Sequence, residues 1–232
     1  MRREEGAREH LDGRVAPADR NASLADIDRL SAWFGGHALT IRAVRRLLRA
    51  APPRPGRSVV VDVGGGRGDF ARRLAGTVRR RGQRIRIVIL DRDLEGLGLA
   101  GAVCGVYPDI VRVCADASAL PFRNAGVDVA VSSLVLHHLS PEAAVASLEA
   151  MRAAAAVGVV VNDLLRTRLS WLLVVVATRI FARHAISRHD GPLSVRRAYA
   201  PDELRLLCAK AGWGHVSIRR FPLLSRVVAV TR

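Results

Sequence analysis

Lysine is almost missing from this chain: of its 37 lysines and arginines, Lys210 is the single lysine. Aromatic residues make up only 4% of the sequence, so the exposed aromatics that usually stand between basic residues in a single-strand nucleic-acid binder are not there. No helix reads as a groove-reading element either, and a nucleic-acid partner is not expected. Cys104, Cys114 and Cys208 are few, odd in number and without a CxxC pair, which excludes a disulfide framework and a cysteine zinc site. No metal is expected, and a reducing, cytoplasmic location fits this cysteine usage. Long apolar runs are also absent. The longest candidate, Leu169 to Ala177, is nine residues, against about 20 for a membrane-crossing helix. Residues 1–20 have no apolar core of the signal-peptide kind and no periodicity, and they are expected to form a mobile tail.

The residues that are present describe one domain. At 232 residues, half of them hydrophobic and a quarter charged, the chain has enough apolar material for one sizeable core. The formal net charge is +16, but the arginines are spread along the whole length beside abundant Ala, Val, Gly and Leu. That distribution reads as compositional bias, with an anionic surface such as lipid headgroups or nucleic acid as the alternative.

Ser23 and Asp26 have the spacing of a capping box, and Ile41, Val44, Leu47 and Leu48 follow helical period, so two helices are expected over residues 21–55. The breaker Ala51 to Gly56, rich in proline, separates them from the main body of the chain, residues 56–232. Short apolar runs at 59–63, 85–90, 110–113, 127–131 and 157–161 then alternate with segments long enough for crossover helices. This is the signature of an α/β fold, a parallel sheet with helices on both faces. Ser140-Pro141 and Pro201 with Asp202 and Glu203 mark two helix starts, and 216–221 with 226–230 reads as a closing hairpin.

The first strand runs into a glycine turn, "VVVDVGGGRGDF". In an open parallel sheet, ligands gather at the carboxyl ends of strands, and glycines let a ligand lie against main-chain N–H groups. From Gly66 the stretch also fits the dinucleotide pattern, with Asp91 at the distance of a ribose acid, so a nicotinamide-dependent oxidoreductase is one reading. Asp62 argues for another. A carboxylate two residues before Gly64 repels a pyrophosphate but suits an ammonium group.

The pattern Asp62-x-Gly64-x-Gly66-x-Gly68 resembles motif I of the class I S-adenosylmethionine-dependent methyltransferases. The similarity continues through "IVILDRD", "ADASALPF" and "VDVAVSSLVLHHL", and it is strongest toward small-molecule methyltransferases related to ubiquinone and menaquinone biosynthesis. The resemblance implies a Rossmann-like, seven-stranded, mostly parallel sheet with a C-terminal antiparallel hairpin, and S-adenosylmethionine as cofactor. It further implies that Asp91 accepts the ribose hydroxyls, that Asp116 and Ala117 meet the adenine with Arg92 beside it, and that Ser133 borders the methionine part. Methyltransferases that modify exocyclic amines of nucleic acids carry an Asn/Asp-Pro-Pro-aromatic motif where this chain has "SSLV". An enzyme acting on a small, hydrophobic phenolic, quinol or polyketide-like molecule, at oxygen or carbon, is therefore expected. A methyltransferase of RNA or protein is the alternative.

The acceptor side of such a fold would be built from the N-terminal helices and an insertion at 164–199. Within it Arg168, Arg179 and Arg183 share a side, and Leu172 and Val175 make the middle apolar all round. This stretch reads as core under the N-terminal helices, or as a greasy pocket or a peripheral membrane contact through 164–183. Trp33 and Phe34 would face it. His189 and Asp190 precede Gly191-Pro192, which reads as a rigid turn in a loop holding the imidazole toward a substrate. His189 and His138 are the candidate general bases, with His37 a rival and His137 more structural.

Overall fold

The computed structural model describes residues 1–51, 56–80 and 84–232. Two helices, α1 (Pro17–Trp33) and α2 (Gly36–Ala50), lead into the alternating core of β1 (Ser58–Val63), α3 (Asp69–Arg79), β2 (Ile85–Asp91), α4 (Leu94–Cys104), β3 (Ile110–Cys114), β4 (Val127–Ser133), α5 (Pro141–Ala154) and β5 (Ala155–Leu164). The chain continues with α6 (Arg168–Phe181), α7 (Ala185–Arg197), α8 (Pro201–Lys210), β6 (Val216–Phe221) and β7 (Arg226–Thr231). The interior of the proline-rich breaker, 52–55, lies outside the described residues, and its ends separate α2 from β1 as expected.

The strands form one sheet in the order β3-β2-β1-β4-β5-β7-β6, with β1 through β5 parallel and β7 antiparallel to both its neighbours. The chain winds outward from β1 to β3 and then restarts beside β1 at β4. The carboxyl ends of β1 and β4 therefore open a crevice at the point where the winding reverses.

Alternation along each central strand feeds two cores. Val61, Val63, Val159 and Val161 pack with Leu148 and Met151 of α5 and Leu204 and Cys208 of α8. Val60, Ile87, Ile89, Val129 and Val131 pack with Val44 and Leu47 of α2 and Phe70, Leu74 and Val78 of α3. Strands buried on both faces explain the unbroken valine and isoleucine runs in the sequence. The expected cap at Ser140 is present, its Oγ accepting the Ala143 N–H at 3.2 Å.

Three sequence expectations are corrected. Ser23 and Asp26 do not begin a helix, because α1 starts at Pro17 with proline in its first turn. Both lie buried inside α1, where Ser23 Oγ meets Ser187 Oγ at 2.9 Å and Asp26 Oδ2 accepts the N–H groups of Arg183 and His184. Residues 1–16 are not an unattached tail. Arg3 donates to the carbonyls of Arg197 and Leu139 at 2.8 and 2.9 Å and stacks over Tyr199, and Glu9 is buried. Gly191-Pro192 is not a turn but lies within α7. A Cβ on Gly191 would come within 2.7 Å of Thr178 Cγ2, so this glycine lets α6 and α7 approach closely. Packing of Ser187, Asp190, Leu193, Ser194 and Val195 overrides the breaker.

Candidate active site

The glycine turn leaves β1 with Gly64, Gly66 and Gly68 at φ +72°, +48° and +78°. At Gly64 a side chain is excluded twice, by that backbone and by Val135, whose Cγ2 would lie 2.5 Å from an added Cβ. Val135 reaches this place because Leu134, just past β4, adopts φ +60°, a left-handed conformation uncommon for leucine. Backbone strain of this kind concentrates at ligand sites.

Two acids organise the crevice. Asp91 ends β2, and its Oδ2 accepts the N–H of Gly66 at 2.8 Å while Oδ1 accepts the N–H of Asp93 at 2.9 Å. Asp62, near the end of β1, is 2% exposed, and its Oδ2 has no hydrogen-bond partner among the described residues. Burial, with the charge of Asp91 adding to it, pushes the Asp62 carboxyl up to about 7. The N–H groups of Gly64 and Gly65 donate to the Leu90 carbonyl and that of Gly68 to the Gly65 carbonyl, so the turn is held from within. A buried carboxyl with a free oxygen beneath it is a receptor for a cationic group. Asp116 is exposed, and hydrogen bonds from Ser118 hold its carboxyl below the usual range. Arg92 is exposed and lines an open cleft of about 750 Å³ with Gly13, Arg14, Arg20 and Asp93 beside the β2 exit. Ala117 follows the β3 exit and Ser133 ends β4, both half-buried.

Helix α1 closes over this side. Arg67 of the glycine turn donates to Asn21 Oδ1 at 3.1 Å, and Arg20 meets Asp93 at 3.0 Å. Asp28 accepts Arg73 Nε at 2.7 Å and meets His37 Nε2 at 2.9 Å, which gives His37 an anchoring role.

A second cluster stands past β4, where a short 3-10 turn, Leu136–His138, presents the two histidines. His137 is buried and its Nδ1 donates to Asp163 Oδ1 at 2.7 Å. Burial alone would raise Asp163, but the charge and hydrogen bond of His137 hold it below the usual carboxylate range. His138 is half-buried, with Nδ1 2.8 Å from Asp12 Oδ1. The two rings pack on each other with centroids 4.1 Å apart, and Glu9 approaches both, 3.8 Å from His137 Nε2 and 3.9 Å from His138 Nε2. Its Oε1 has no hydrogen-bond partner among the described residues. Burial raises the Glu9 carboxyl to about 7 against the opposing pull of His138 and Ser194.

Asp190 holds this N-terminal segment in place, its two oxygens accepting the N–H groups of His10 and Leu11 at 3.0 and 3.1 Å. Arg197 joins the same cluster through Asp12 at 2.7 Å and the carbonyl of His137 at 3.3 Å. His189, the other candidate base, falls elsewhere. It lies on α7, 53% exposed at its side chain, bonded to Asp190 Oδ1 at 2.8 Å and packed on the His10 ring. Glu9, Asp12, Asp163 and Arg197 were not legible as site residues, because they are scattered along the chain, Asp12 and Arg197 being 185 positions apart, and no local pattern marks them.

The sheet order, the switch-point crevice and the glycine turn with its two acids define a Rossmann-like class I methyltransferase fold. Solved structures agree. Human N-acetylserotonin methyltransferase in complex with SAM aligns with a TM-score of 0.63 at 13% identity, over 92% of this chain and 56% of that one. The citrinin polyketide synthase CMeT domain aligns at 0.60 and 10% identity, over 81% and 49%. Residues 60–158 match the family model described as a methyltransferase domain, so this part of the chain is similar to that domain and the whole has its fold. In sequence it is similar to the ubiquinone/menaquinone biosynthesis C-methyltransferase UbiE of Caulobacter sp. strain K31, 35% identical over 127 residues. That alignment covers 53% of this chain and 48% of UbiE, so the chain spans about half the length of the curated relatives it matches.

The residues present fit the donor that such a domain uses. Asp62 has the free buried oxygen an ammonium requires, and the turn at Gly64, Gly66 and Gly68 puts no side chain in a ligand's way. When bound, S-adenosylmethionine supplies an activated methyl group on a sulfonium, and the protein's task is alignment and exclusion of water.

Proposed function

We propose that this protein transfers a methyl group to a small, hydrophobic phenolic, quinol or polyketide-like acceptor, at oxygen or at carbon. In this reading Asp62 holds the donor's ammonium, Asp91 the ribose and Asp116 with Ala117 the adenine, with Arg92 flanking. Gly64, Gly66 and Gly68 admit the donor, and Ser133 borders its methionine part. The observation that carries the acceptor side is Glu9. Its buried carboxyl, raised to about 7 and within 4 Å of both His137 Nε2 and His138 Nε2, is a proton acceptor past the exit of β4.

In this reading His138, the more exposed of the pair, takes the acceptor's proton and passes it to Glu9, while the ionised Asp12 beside its Nδ1 orients the ring and Asp163 fixes His137. Removing a proton from a hydroxyl raises electron density on the oxygen and on the ring carbons beside it, which serves either site of methylation. His189 takes no part. The acceptor is a small molecule rather than nucleic acid, and the protein acts in the cytoplasm.

The test is incubation with labelled S-adenosylmethionine and a panel of alkylated phenols and hydroquinones, read by mass spectrometry. A product one methyl heavier, lost in Glu9→Gln and His138→Gln variants that still bind donor, supports the reading. Label transferred to RNA or protein, with none in the phenols, overturns it.

A further inference from the structure

The outer face of α6 is not used by the site. Leu169, Leu172, Val176 and Ile180, spaced three or four residues apart, form one line along the helix and are 46%, 53%, 46% and 65% exposed. The expected cover for this segment exists on one side only. Thr178 is buried against its neighbours, whereas Trp33, edge-on to Phe181 at 5.5 Å, is itself 60% exposed, and Leu223, on the 3-10 turn that packs against α6, is 77% exposed.

The charge around this face has one sign. Residues 164–189 contain five arginines and no acidic residue. At 100° per residue Arg168 and Arg179 fall side by side along one border of the apolar line, next to Leu172, and Arg183 lies just beyond the helix end. All three are exposed, and none meets a carboxylate among the described residues.

We propose that α6 is a docking face for an anionic lipid bilayer, lying in the plane of the interface with its apolar line in the acyl boundary and its arginines on the phosphates. A helix of 14 residues is about 21 Å long, and no described helix is long and apolar enough to cross a membrane, so α6 lies on the bilayer. Charge decides against a second copy of the chain as occupant, because pairing this face with itself would bring together two sets of unpaired arginines. It decides equally for an anionic surface, toward which the net charge of +16 also draws the molecule. Docking there would suit a hydrophobic acceptor. Helix α7, packed against α6, carries Asp190 and Arg197, which hold the Glu9 cluster. The inference does not depend on methyl transfer.

The test is co-sedimentation of the purified protein with vesicles of equal parts phosphatidylglycerol and phosphatidylcholine, and with vesicles of phosphatidylcholine alone. Binding to the anionic vesicles is expected to be at least tenfold stronger and to weaken with salt. Leu172→Glu with Ile180→Glu is expected to lower it at least tenfold. Arg168→Gln with Arg179→Gln is expected to lower it by about fivefold per arginine on anionic vesicles only. Unchanged thermal midpoints and unchanged S-adenosylhomocysteine binding show that both variants are folded. Three results would each overturn the proposal: no binding to either vesicle, binding that neither variant changes, or a stable dimer by light scattering that the glutamates split without any vesicle binding.

Discussion

Asp91 accepts the backbone N–H of Gly66 at 2.8 Å, so the acid that ends β2 and the turn that leaves β1 form one unit. The strands are neighbours in register, Val63 beside Leu90, and this places the acid against the turn without any intervening side chain. The donor side of the site is therefore fixed by the sheet itself.

Gly64 is the least replaceable position of that unit. Gly64→Ala is expected to cost about 2 kcal/mol or more of stability, since it combines a left-handed backbone with a 2.5 Å approach to Val135. Adding Val135→Ala should recover part of the loss but not all, because the φ of +72° persists. Chemical denaturation of the single and double variants measures this. Full recovery would show that crowding alone excludes the side chain.

Asp62 makes donor binding depend on pH. Its folded carboxyl titrates near 7 and its unfolded one near 3.8, so the native state keeps a proton that the unfolded state has lost. Stability from this group is consequently lost as pH rises from about 4 to 7 and is constant above that. An ammonium ligand prefers the ionised form, so donor affinity should rise with pH through 6 and 7 and level off at about 8. Asp62→Asn should flatten that rise, weaken binding and stabilise the free protein at pH 8. Calorimetry at several pH values, together with thermal unfolding, decides it; an unchanged pH profile in Asp62→Asn would contradict the assignment.

Glu9 gives a separate signature on the acceptor side. Its carboxyl is raised from 4.5 to about 7, so it takes up a proton from an acceptor only as pH passes neutrality. The rate of transfer to a phenol should climb through pH 7, and Glu9→Gln should cut turnover at least tenfold while leaving donor affinity within about twofold. By the same linkage Glu9→Gln should stabilise the protein above pH 7, where the native carboxylate is buried. Donor affinity that falls along with turnover would mean that Glu9 supports the donor site instead.

The strand positions and the helices on both faces of a parallel sheet were legible from the sequence because β1, β2, β4 and β5 are apolar on both faces and stop at acids, glycines or serines. Asp62, Asp91 and the glycines sit on those stops, so local pattern finds them. The acceptor side obeys a different logic. Glu9 and Asp12 lie in a segment with a single three-residue turn, and their positions are set by Asp190 and Arg197, whose own helix contains a Gly-Pro pair that reads as a break. Ser23 and Asp26 show the same limit in reverse, since a capping pattern was used to fasten α1 to the start of α7. Where long-range hydrogen bonds rather than periodicity fix a residue, the sequence carries no local sign of it.

The central claim is that the turn at Gly64 to Gly68, with Asp62 and Asp91, holds S-adenosylmethionine. Titration calorimetry of the purified protein with S-adenosylhomocysteine tests it most directly. One site per chain with a Kd on the micromolar scale, weakened at least tenfold in Asp91→Ala, is the expected result. No binding of S-adenosylhomocysteine, with a nicotinamide dinucleotide bound in its place, would contradict it.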